Sequence, residues 1–78
     1  MTELALDDFD VNLPLRKVVH KPSGIWFEFY EYPNEEDWKR SDSVVYHDKP
    51  EWSGNRLELA AAAKEAAIKK GMKARRPE

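Results

Sequence analysis

The chain contains no cysteine. It therefore has neither disulfide staples nor thiolate metal sites to stabilise so short a sequence. Glycine is scarce as well, three in 78 residues. No Gly-rich phosphate loop, nucleophile elbow or zinc-ligand spacing is present. No apolar run approaches the ~20 residues that cross a bilayer. Met1-Thr2-Glu3-Leu4-Ala5-Leu6-Asp7-Asp8 has neither the basic nor the apolar region of a secretory leader. Together these absences point to a cytoplasmic protein with no membrane association, no cofactor and no metal.

What is present is a charged chain with enough aromatics to fold. Charged residues make up 36% and aromatics 12%, a mixture unlike that of disordered segments, which are poor in aromatics. The length allows one domain. A domain this small buries only about 60–65% of its unfolded surface, so its core is thin and a deep catalytic cleft is hard to build. The net charge of −2 hides an asymmetry. Residues 1–37 carry nine acids against three bases, and residues 38–78 carry ten bases against six acids. Such a dipolar chain can steer a charged partner.

The pattern divides the chain into an acidic arm (1–12), a domain (13–71) and a basic tail (72–78). In the arm, Leu4, Leu6, Phe9 and Val11 are apolar anchors. Residues 13–20 read as a first strand opened by Pro14. Lys21-Pro22-Ser23-Gly24 is a turn, because Pro presets φ and Gly accepts a positive one. Residues 25–32, dense in aromatics, form the second strand of a hairpin. A polar loop containing Trp38 follows, then a short third strand over 43–47, then a second loop containing Trp52. The last element is a helix. Asn55 with Glu58 forms a capping-box-like start, strong helix formers fill 57–70, and Gly71 suits the C-terminal cap. The expected fold is α+β: a three-stranded antiparallel sheet with one C-terminal helix packed on a face (β-β-β-α).

Alternation along the second strand puts Ile25, Phe27 and Phe29 on one face and Trp26, Glu28, Tyr30 and Tyr32 on the other. One helix covers one face. With the helix on the Phe27 side, Trp26, Tyr30 and Tyr32 make an aromatic row on the far side, flanked by Trp38 and Arg40. These five residues are the candidate protein-binding set, since exposed apolar patches and Trp, Tyr and Arg mark contact sites. Two competing arrangements are an arm that lays Leu4, Leu6 and Phe9 over that face, and Trp38 and Trp52 folded back as core plugs. A homodimer through the aromatic face is a further alternative.

Lys64, Lys69, Lys70, Lys73, Arg75 and Arg76 form a basic run suited to phosphates, with a solvated helix end as its plainer reading. Lys21-Pro22-Ser23-Gly24-Ile25-Trp26-Phe27-Glu28-Phe29, followed by the alanine-rich helix, resembles the plant AP2-type and integrase arm-binding domains across residues 15–70. The resemblance implies DNA reading by basic and aromatic residues on the exposed sheet face. Here that face carries Glu28, the next loop is acidic at Glu35-Glu36-Asp37, and the pI is near 5.7, which departs from a dedicated DNA binder.

The acidic clusters Asp7, Asp8, Asp10 and Glu35, Glu36, Asp37 suggest the opposite role, a small inhibitor presenting negative charge to a nucleic-acid-binding machine, as phage-type inhibitors do. His20 and His47, with Asp48, fall short of a metal or acid–base site, which needs a third convergent group. They read as sheet-surface residues, and the protein as a non-enzyme. The expected function is that of a small interaction or regulatory protein that binds another protein, with nucleic-acid binding as the alternative.

Overall fold

The computed structural model describes residues 5–41 and 44–75. A single 3-10 turn, Leu6–Asp8, leads into four strands and two helices: β1 Phe9–Asn12, β2 Lys17–His20, β3 Trp26–Phe29, α1 Glu35–Arg40, β4 Val44–His47 and α2 Arg56–Lys69. The strands form one antiparallel sheet in the order β1-β2-β3-β4. The expected α+β architecture with a C-terminal helix is present, but the sheet has four strands and not three.

The extra strand comes from the segment read as an arm. Phe9 pairs with His20 and Val11 with Val18. The stretch read as the start of the first strand is instead the turn that joins β1 to β2. Arg16 sits there at φ 53, a left-handed conformation usually taken by Gly or Asn. The Leu15 amide donates to the Asn12 side chain, and the Arg16 amide to the Leu13 carbonyl.

The β2–β3 turn follows its sequence signal. Gly24 has φ 78 and donates to the His20 carbonyl. The Ser23 hydroxyl accepts from the Ile25 amide. The loop expected around Trp38 is partly a helix, α1. Asn34 caps it by accepting from the Asp37 amide. Three acids in its first turn and Lys39-Arg40 in its last complement the helix dipole.

The ends of α2 lie where local chemistry places them. Asn55 accepts from the Glu58 amide. At the other end Gly71 has φ 98, its amide donates to the Ile68 carbonyl, and the Met72 amide donates to the Ala67 carbonyl. That pair of bonds is a Schellman motif. Leu59, Ala63, Ala66 and Ala67 form the buried stripe of the helix. With three alanines in this stripe, α2 lies close over β1, β2 and the 3-10 turn.

The core lies between α2 and one face of the sheet. Phe9, Val18, Ile25, Phe27 and Phe29 supply the sheet side. Residues 72–75, the described part of the segment read as a basic tail, fold back on the body. Met72 and Ala74 are buried, the Tyr32 amide donates to the Ala74 carbonyl, and the Ala74 amide donates to Glu35.

Candidate docking face

Register and pleat assign every strand residue to a face. Phe9, Val11, Val18, His20, Phe27 and Phe29 face the core. Asp10, Lys17, Val19, Trp26, Glu28, Val45 and His47 face the other way. The helix thus covers the Phe27 side, one of the two faces that the alternation of β3 leaves open. The arm does not cover the far face, because β1 joins the sheet and buries Phe9 on the helix side. Leu4 lies outside the described residues, while Leu6 packs against the core. Among the described residues no helix crosses the far face.

Trp26 is at its centre. The His47 ring stacks on Trp26 with centroids 3.8 Å apart and planes 15° apart. From the β2 side, the Lys17 ammonium lies 4.0 Å from the Trp26 ring centre. A cation, an indole and an imidazole thus form a row across three strands. Cross-strand packing of this kind holds a large apolar ring in place while leaving part of it exposed. Val19 and Val45 add apolar surface, and Asp10 and Glu28 supply negative charge.

The structure separates the five residues expected to form one patch. Trp26 stands on the open face. Tyr30, just beyond β3, is 52% exposed. Tyr32 turns inward: its hydroxyl hydrogen-bonds the Ser41 hydroxyl, and its ring lies 6.2 Å from Trp38. Trp38 is a core residue, 1% exposed, packed edge-on against Phe29. Arg40 is exposed on α1 and pairs with Glu36 and Asp37 of its own helix.

The basic run divides in a similar way. Lys69, Lys70, Lys73 and Arg75 are exposed at the C-terminal end of α2 and just beyond it. Lys64 is engaged, donating to the Ser41 carbonyl and lying 4.5 Å from the Trp38 ring centre. Arg76 lies outside the described residues.

The two histidines occupy opposite faces and different strands, with β3 between β2 and β4. His47 is on the open face. His20 is buried on the core face rather than on the surface, 4.9 Å from Phe9 and 5.7 Å from Trp52, ring centre to ring centre. Burial lowers its pKa from the ordinary 6.5, and nearby Asp8 pulls it back up in part. Its Nδ1 pairs with the Ser23 hydroxyl at 2.7 Å.

Among the described residues no three His, Asp or Glu side chains converge to hold a metal ion, and no helix is long and apolar enough to cross a membrane. The chain matches no family model, no curated protein and no solved structure.

Proposed function

We propose that the protein is a small, non-catalytic interaction protein that docks on another protein through the open face of its sheet. The observation that carries the reading is Trp26, partly exposed and braced by Lys17 and His47 at the centre of a face that no described helix covers. A pre-positioned indole on a rigid strand loses little entropy on binding, which is how aromatic anchors dominate interfaces. Val19, Val45 and Tyr30 extend the contact, and Asp10 and Glu28 favour a partner with basic groups at its rim. Inhibition of a nucleic-acid-binding protein is one form this takes, since such partners present basic surfaces.

The test uses a tagged protein and native lysate, split into nuclease-treated and untreated halves. A stoichiometric protein partner should survive nuclease and be lost with Trp26→Ala and Tyr30→Ala. Both variants should keep the circular dichroism spectrum and melting temperature. A large loss of stability in either would show the residue to be structural and sink the reading. The nucleic-acid alternative draws support from the exposed Lys69, Lys70, Lys73 and Arg75. It predicts nucleic acid in the eluate, released by salt and by charge reversal at those four positions.

A further inference from the structure

The opposite side of the molecule carries a second feature that the Trp26 face does not use. The helix α2 lies over β1 and β2, so β4 is left beyond its cover. The gap is a groove of about 440 Å³. Its apolar walls include Phe29 and Val44 from the sheet and Ala60, Ala61 and Ile68 from α2. Leu57, 84% exposed, stands at one end. Three lysines, Lys39, Lys64 and Lys69, border it against the single acid Glu65. Lys39 and Lys69 are exposed and enter no ion pair among the described residues.

Beside this groove runs the outer edge of β4, which no strand among the described residues pairs. The Phe29 amide bonds the Arg16 carbonyl, and the His20 amide bonds the Ile25 carbonyl. The odd-numbered residues of β3 therefore bond towards β2. Antiparallel alternation turns Trp26 and Glu28 to their partners His47 and Val45 on β4. The amides and carbonyls of Val44 and Tyr46 consequently point away from the sheet. β4 reads Val44-Val45-Tyr46-His47, with its last three residues exposed and no charged residue to blunt the edge. Val44 belongs to both features: its backbone faces the free edge and its side chain lines the groove.

We propose that β4 accepts an extended acidic, apolar segment of a partner protein as a fifth strand. Residues of that segment opposite Val44 and Tyr46 share their face, so apolar side chains there fall towards the groove. Carboxylates flanking them meet Lys39 and Lys69. Charge selects this occupant over a second copy of the chain, because a twofold contact would set the same net-positive rim against itself. The proposal stands apart from docking at Trp26, on the other face of the sheet.

The test uses two synthetic eight-residue peptides with a Val-Thr-Val-Thr centre flanked at each end by two glutamates or by two lysines, so that one charge at each end shares the valines' face. Binding is followed by fluorescence anisotropy and by amide exchange. The glutamate peptide should bind and the lysine peptide should not. The Val44 and Tyr46 amides should gain exchange protection in the complex. Lys39→Glu with Lys69→Glu should weaken binding by about tenfold. Tyr46→Pro removes one outward amide while sparing the bonds to β3, and should also cost about tenfold or more; Tyr46→Val, which keeps the amide, should bind nearly as wild type. Trp26→Ala should leave peptide binding unchanged, which separates this proposal from the open-face reading. Equal binding of both peptides, no binding of either, or protection confined to other strands would overturn it. So would a dimer in sedimentation that Tyr46→Pro returns to monomer, since the edge would then belong to a second copy.

Discussion

The guanidinium of Arg16 lies 4.9 Å from the centre of the Trp38 ring, although the two residues come from separate elements, the β1–β2 turn and α1. Lys64 of α2 reaches the same ring. Arg16 is buried, and its three nitrogens donate to the carbonyls of Phe29, Tyr30 and Lys73. One side chain thus ties the end of β3 and the C-terminal segment to the turn from which it projects. Arg16→Ala would leave three carbonyls without their donor. At about 1–3 kcal/mol for each buried unsatisfied group, partly relieved by water, a loss of about 3 kcal/mol is expected. Arg16→Lys should rescue little of it, because an ammonium cannot match the guanidinium fork. Urea unfolding measures both, and hydrogen exchange at the Tyr32 amide reports release of the Ala74 contact.

Trp38 offers a contrast between two substitutions. Its indole Nε1 is buried with no hydrogen-bond partner among the described residues. Trp38→Ala removes a full core aromatic and should cost about 3–5 kcal/mol. Trp38→Phe keeps most of the packing and deletes the unpartnered N–H, so the two effects offset and a change within about 1 kcal/mol is expected. Thermal denaturation of the pair decides whether Trp38 acts as filler or as a polar contact. A large loss with Phe would indicate that the N–H has a partner.

Gly54 is set by its neighbour rather than by its backbone. A Cβ at this position would lie 2.2 Å from the Cη2 and Cζ2 atoms of Trp52. Trp52 in turn packs against His20 and under Arg56. Gly54→Ala should push the indole off both, lowering stability by about 1–3 kcal/mol and changing the near-ultraviolet circular dichroism. An unaltered aromatic spectrum would mean that the loop absorbs the methyl by moving elsewhere.

His20 should make stability depend on mild acid. Its pKa in the fold is lowered from 6.5 by burial, with Asp8 opposing in part. Well above that value the imidazole is neutral in both states and contributes nothing. As the pH drops below 6.5 the unfolded chain takes up a proton that the folded chain resists, so stability falls. The fall levels off once the pH passes below the lowered value. His20→Gln should flatten this part of the profile measured by chemical denaturation. An unchanged slope would assign the dependence to other groups.

The sequence alone determined the elements whose signals are local. The β2–β3 hairpin rests on Gly24 at its turn, and α2 on Asn55 and Gly71 at its ends, each acting within a few residues of itself. The alternation of Ile25 to Phe29 also sorted the strand's residues into two faces, and the packing of α2 decided which of the two is covered. Tertiary structure decided the rest. β1 alternates over only four residues, and its turn seats Arg16 where a glycine signal would be sought. That conformation is held by three distant carbonyls. From sequence Trp38 reads as either a contact residue or a core plug, and Tyr32 as part of the far-face row; packing makes Trp38 core and turns Tyr32 inward onto Ser41 and Trp38. The groove beside β4 exists because α2 sits to one side of the sheet. That offset depends on how alanines and aromatics pack across elements, and no local pattern encodes it.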